Sequence, residues 1–300
     1  MNKPKLVTCN YTNLYGTRLN GRLNRDDVYK FSLRGIAESG AQIINYTCPY
    51  NMNICDPYFA SQNITNITNI DYDLKTSPYH EKVEAIKDIQ PKYYQDTSWA
   101  NRCVEIMFGK FLWLEEQFQN LEEDDYLFWI DCGLSHGGIT PKKYNTFDGK
   151  IEYGKPHKPE ELLLEYAHRH DLIYNKDFIP KLEKYTGDKI MVVCANHDQH
   201  GDQMGFTYDN HLRLFPIGGI FGGKKKMMLP FIQAFKEKAE LVLNANLLCK
   251  EEQLMAVVLN EHPEWFKTFE FHTWYHPDWN CYNPKLIPFC AFFEVIANVP

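Results

Sequence analysis

The sequence predicts an α/β fold, a mixed and mostly parallel sheet flanked by helices. Three observations carry this. The chain opens as strand, helix, glycine, strand over residues 5–47, the order that begins a parallel α/β unit. Tyr126–Ile130 is a continuous apolar run, as a strand covered on both faces must be, and Lys189–Ala195 reads as another buried strand. Between them and the opening lies a long amphipathic helix, which gives such a sheet a covering layer.

Taken in order, Lys5–Asn10 reads as the first strand and Tyr11–Asn24 as a polar, glycine-containing loop. Asp26 or Asp27 caps a helix reaching about Ser39, with Val28, Phe31, Leu33, Ile36 and Ala37 as its apolar positions and Gly40 as its stop. Ala41–Thr47 is the second strand. Residues 48–80, rich in Asn, Tyr and Pro, show little periodicity and read as loop and short turns. The helix Trp99–Leu121 carries its stripe on Val104, Met107, Phe108, Phe111, Leu112, Leu114 and Phe118, and ends at the acidic run Glu122–Asp125. After the strand Tyr126–Ile130, residues 139–160 read as a polar loop and Glu160–His170 as a helix. Lys189–Ala195 is the next strand, Asn196–Gly205 a loop, and 218–223 a glycine-rich segment. Helices are expected near Met227–Leu243 and Lys250–Asn260, and no regular structure in the aromatic, Pro- and His-rich end. The arrangement is of Rossmann type and is read as one domain over 1–300. Its nucleotide-binding part spans roughly 1–138 and its acceptor part roughly 139–300.

Composition bounds the function. The 300 residues carry a formal charge of −7 and are 44% apolar, with 19 Phe, 19 Tyr and 6 Trp, enough for a large core. An acidic chain does not advertise the basic surface that phosphate neutralisation on nucleic acid requires, nor a polybasic face for membranes. No window approaches the roughly 18 apolar residues of a spanning helix, so no stable membrane insertion is expected. The 9 cysteines form no C-x-x-C pair and fall partly in apolar runs, which suits reduced thiols in the cytoplasm.

Chemistry concentrates in three places. The strand Tyr126–Ile130 ends in Asp131, followed by Cys132, Gly133, Leu134, Ser135 and His136. Ligands gather at the carboxyl ends of parallel strands, and a carboxylate there suits a divalent cation bridging a diphosphate. His136 is a further candidate ligand or substrate contact. The plainer reading makes Asp131 a turn cap. Phe215–Lys224 holds Gly218, Gly219, Gly222 and Gly223 around Ile220 and Phe221, so backbone can approach a ligand closely; tight strand packing is the alternative. Glu251 and Glu252 open a helix whose dipole favours them in any case, yet carboxylates there also suit orienting an acceptor hydroxyl or stabilising an oxocarbenium-like transition state. The clusters 196–202 and 271–278 have no zinc-motif spacing, but a C-terminal histidine such as His272 is a candidate to complete a metal site with Asp131.

Read in order, Trp129-Ile-Asp-Cys-Gly133, Gly218–Gly223 and Glu251–Gln253 resemble the HtrL/YibB family. Lys110 in the preceding helix, the opening Val7–Tyr11 and Tyr29-Lys30 are also similar. The resemblance implies a GT-A-like glycosyltransferase that moves a hexose or pentose from a nucleotide-diphosphate sugar, a UDP-sugar favoured, to an acceptor hydroxyl. It implies Mn²⁺ or Mg²⁺ at Asp131, with Glu251 or Glu252 as the catalytic or sugar-orienting acid. Thr8, Asn10, Tyr11 and Arg18 would hold the nucleotide, and Lys110, Gly133, His136, Gly218, Gly219, Phe221, Gly222 and Gly223 would line the donor and sugar site. One departure stands out: the family fold usually carries Asp-x-Asp, and here the third position is Gly133. Arg18, Arg22 or Lys224–Lys226 could neutralise the diphosphate instead. The acceptor expected is a glycan such as lipopolysaccharide in the cytoplasm. A phage relative would act on a hydroxymethylated DNA base in the host cytoplasm, which demands a basic groove and base flipping. Outside this class stand a non-catalytic sugar- or nucleotide-binding protein, and a metal-dependent hydrolase using the His/Asp clusters.

Overall fold

The computed structural model describes residues 3–11, 25–89, 100–132, 176–196, 214–271, 292 and 295–300. Seven strands form one sheet: β1 (Leu6–Asn10), β2 (Ile43–Thr47), β3 (Ile67–Asp71), β4 (Tyr126–Ile130), β5 (Ile190–Asn196), β6 (Leu214–Lys224) and β7 (Phe266–Phe271), in the order β3-β2-β1-β4-β6-β5-β7. Neighbouring pairs are parallel except where β6 meets β4 and β5, against both of which it runs antiparallel. The mixed, mostly parallel α/β sheet expected from the sequence is therefore present.

The chain runs outward from β1 to β2 to β3, then returns to place β4 on the other side of β1. That reversal puts a switch point between β1 and β4, where an open α/β sheet forms its natural ligand crevice beyond the carboxyl ends of the strands.

Helices cover both faces because the strands are apolar on both. In β4, Leu127 and Trp129 turn to one core cluster, while Phe128 and Ile130 turn to the other, the period-two alternation of a pleated strand. The first face is packed by α3 (His80–Ile89), α4 (Ala100–Phe118), α6 (Lys225–Asn244) and α7 (Glu251–Glu261). The second takes Ile36 and Ala37 of α1 (Arg25–Glu38), Phe178, Ile179 and Leu182 of α5 (Phe178–Thr186), and Phe292 and Ile296. Phe111 of α4 stacks on Phe221 of β6 with centroids 5.3 Å apart and on Phe235 of α6 at 3.5 Å, tying helix to sheet and helix to helix.

Residues 48–80 correct the sequence reading. In place of loop they hold α2 (Pro49–Ser61), β3, a 3-10 turn at Leu74–Thr76 and the start of α3. Asn51, Cys55 and Phe59 recur every four residues on the buried side of α2, and Asn51 is hidden because its amide donates to Asn10 Oδ1 at 3.3 Å. Pro49 opens the helix, where its missing N–H costs nothing. The glycine-rich segment is likewise no loop but the middle of β6. Asn196, expected to open a loop, instead ends β5. Apart from it and Tyr11, the expected loops Tyr11–Asn24 and Asn196–Gly205, the loop 139–160, the helix 160–170 and most of the C-terminal end lie outside the described residues. Among the described residues no helix is long and apolar enough to cross a membrane.

Candidate functional site

Asp131 follows the last residue of β4, at the carboxyl edge beside the switch point. Its backbone N–H donates to Gly219 O at 2.8 Å, so the residue is still held by β6 after regular pairing ends. The side chain keeps 40% of its surface exposed. Its Oδ1 accepts from the Trp129 indole N–H at 2.7 Å and lies 3.0 Å from Lys110 Nζ. Partial removal from water, joined by the neighbouring Glu251, outweighs Lys110 and the indole, so the Asp131 carboxyl stands above its usual pKa.

Lys110 comes from α4 and is almost fully buried, its side chain 6% exposed. Its ammonium donates to Glu251 Oε1 at 2.6 Å and to Gly218 O at 2.9 Å, besides pairing with Asp131. It also lies 5.4 Å from the centre of the Trp129 ring. Burial alone opposes the charged amine, but the Asp131 and Glu251 carboxylates overcome it and hold the Lys110 pKa above its ordinary value. A buried charge is tolerable only when paired and hydrogen-bonded, and Lys110 meets both conditions.

Glu251 and Glu252 open α7 and are both buried. Gln253 shapes this helix start, its side-chain oxygen accepting from the Lys250 N–H at 2.8 Å. Glu252 Oε1 accepts from the Gly218 N–H at 3.3 Å. Gly218 thus gives its carbonyl to Lys110 and its N–H to Glu252, because the ladder leaves both groups available. Against β5, Val192 pairs with Phe221 but Val193 with Ile217, so residues 218–220 are interposed as a bulge in β6. A Cβ on Gly218 would sit 2.5 Å from Glu251 Oε1. The glycine is there to admit a carboxylate of its own chain.

The other residues of the glycine-rich segment do not form a ligand-facing loop. Phe221 is fully buried against Phe111. A Cβ on Gly222 would run into Leu127 O and the Phe128 backbone, and one on Gly223 would come within 2.7 Å of Lys189 O. These two glycines let adjacent strands close, the packing alternative noted above. Lys224 and Lys226 are engaged with Asp124 and Asp188.

At the end of β1, Thr8 and Asn10 are fully buried and Tyr11 is nearly so. Asn10 accepts from Thr47 and Asn51 and donates weakly to Cys55 Sγ. The Tyr11 hydroxyl donates to Tyr72 O at 2.9 Å, while its ring stacks on Trp113. Thr8 Oγ1 has no hydrogen-bond partner among the described residues. Arg18, Gly133, His136 and His272 lie outside the described residues.

Of the expected site residues, the structure brings together Asp131, Lys110, Gly218, Gly219, Glu251 and Glu252. The sequence reading gave Trp129 no site role, although the i, i+2 spacing from Trp129 to Asp131 is the signal that a strand side chain points along the same face. It also missed His80 and Glu84 on α3 with Glu105 on α4, whose ligand atoms lie within 4.8 Å of one another. His80 Nδ1 is 3.0 Å from Glu105 Oε1, an ion pair when the imidazole is protonated.

No protein-family model matches the chain, and no curated protein does. Among solved structures it is similar to mouse xyloside xylosyltransferase 1 in its apo form, with a TM-score of 0.38 and 9% identity, over 89% of this chain and 85% of that one.

Proposed function

We propose that this chain is a glycosyltransferase that moves a sugar from a nucleotide-diphosphate donor, a UDP-sugar by preference, to the hydroxyl of a glycan acceptor. The observation that carries the reading is the meeting of Asp131, Lys110, Glu251, Glu252 and Gly218 at the carboxyl edge beside the β1/β4 switch point. Those residues come from segments far apart in sequence, and the resemblance to the HtrL/YibB family groups the same segments.

In this reading Asp131 faces the diphosphate. A hard divalent cation fits there on chemical grounds, since such ions are often held by one or two carboxylates, with substrate phosphates and water as the remaining ligands. Bound, Mn²⁺ or Mg²⁺ would offset charge on the departing nucleotide diphosphate. Glu251 and Glu252 act from behind the reacting groups, fixing the Gly218 backbone that frames the sugar. The acceptor hydroxyl attacks the anomeric carbon as that carbon's bond to the diphosphate oxygen breaks, and the hydroxyl proton passes to the departing diphosphate.

The test is a thermal-shift panel of UDP-, GDP-, CMP- and dTDP-sugars with and without Mn²⁺. A ligand at 100 times its dissociation constant stabilises by about 2.7 kcal/mol. Stabilisation by one nucleotide family supports the reading and identifies the donor. Silence from all of them sinks it.

A further inference from the structure

We infer that Lys110 and Trp129 are positioning residues that together hold Oδ1 of Asp131 and so dedicate its Oδ2 to the ligand. The inference rests on Asp131 being the ligand-facing acid of the reading above.

The donor count carries it. An ammonium has three N–H donors; Lys110 gives two of them to Gly218 O at 2.9 Å and Glu251 Oε1 at 2.6 Å, and holds Asp131 Oδ1 as an ion-pair partner at 3.0 Å. A phosphate could reach this lysine only by displacing one of them inside a pocket where the side chain is 6% exposed. Lys110 is therefore no direct phosphate or sugar contact, the role its place in the resemblance first implied.

The same count applies to the acceptor. Oδ1 of Asp131 accepts the single donor of the fully buried Trp129 indole at 2.7 Å and is the oxygen that pairs with the ammonium, 3.0 Å away. One hydrogen bond and one cation therefore converge on Oδ1 and leave little room there for a further ligand. Among the described residues Oδ2 has no such partner, and the exposed 40% of the side chain is where it can meet one. One ammonium also fixes Glu251 and the Gly218 carbonyl, so the orientation of Asp131 is linked to the start of α7 and to the bulge in β6.

The experiment uses the full chain labelled with ¹⁵N-tryptophan. It holds 6 tryptophans, and Trp129→Phe identifies the Trp129 indole N–H signal by its loss. In Lys110→Met the Trp129 signal should move while the other indole signals stay in place, because Asp131 has lost its second anchor. Lys110→Arg should return the signal towards its wild-type position. With the responding donor from the panel, Lys110→Met should lower kcat about 100-fold with little change in KM, the cost of misplacing a group by an ångström or so.

A folded Lys110→Met protein with an unmoved Trp129 signal overturns the inference. So does a raised KM at unchanged kcat, which would make Lys110 a direct substrate contact. If Lys110→Met does not fold, Glu251→Gln tests the same link. Glu251 reaches Asp131 through Lys110, so a Trp129 signal unmoved by that substitution also overturns it. A chain that turns over no donor removes the transferase reading, while the indole signal still decides whether Lys110 positions Asp131.

Discussion

At the residue scale, the site is defined by what each polar atom has already spent. Asp131 is the acid with surface left for a ligand, whereas Glu251 is buried under Lys110. Asp131→Asn keeps the shape and an acceptor for the Trp129 indole but removes the charge facing Lys110. We expect it to lower turnover of the responding donor by at least about 100-fold, the scale of losing one pre-organised electrostatic group, with the fold retained by circular dichroism. Full activity in that variant would remove Asp131 from the mechanism. Glu251→Ala should be worse for stability than Asp131→Asn. It leaves a buried ammonium short of a partner, a class of change costing about 3–5 kcal/mol, which urea denaturation would read.

At the element scale, β6 shows how one strand serves two ends. Its Gly222 and Gly223 exist for strand closure, and its Gly218 for contact with a side chain. Gly218→Ala should therefore act on the site: its Cβ meets Glu251 Oε1, pushing that carboxylate off Lys110 at a cost of about 1–3 kcal/mol and with loss of turnover. Gly222→Ala meets backbone that cannot move aside, and we expect it to destabilise more than Gly218→Ala in the same denaturation experiment. The reverse order would mean that the bulge, not the central ladder, carries the strain. The uninterrupted apolar runs made β4 and β5 readable, since burial on both faces leaves only one pattern. The helix α2 was hidden because its buried stripe uses Asn51 and Cys55, residues that belong to a core only when a partner such as Asn10 is already in place. The edge strand β3 is only half-buried, so Asn and Thr appear where an apolar residue would have signalled a strand. The acidic and glycine motifs were visible as chemistry. That Lys110 would join them was suggested by resemblance alone, because nothing local in a helix tells a lysine which carboxylate it will meet.

At the scale of the whole molecule, one sheet runs through both the nucleotide-binding part and the acceptor part expected from the sequence. β4 pairs with β6 over Tyr126–Ile130, and Phe111, Phe231 and Phe235 join one core across the same seam. Unfolding should accordingly be a single transition, with near- and far-ultraviolet dichroism changing together; two separated transitions would mean that the parts are independently stable. The net charge of −7 bears on the acceptor. A chain without an excess of basic charge should pass through a DNA column at physiological salt, whereas salt-sensitive retention would favour a DNA base over a glycan as acceptor.

The ion pair between Lys110 and Glu251 spans 141 residues of chain. As the polypeptide emerges from the ribosome, the lysine is made long before its partner, and it must wait in water until α7 has been synthesised. Contacts of such long range are completed late, because the entropy of closing the intervening loop is met before the contact forms. The core around β1 and β2 can assemble early, but the chemistry cannot. A nascent chain halted before α7 would carry β1–β6 without a site, and competence would arrive only once α7 has been made.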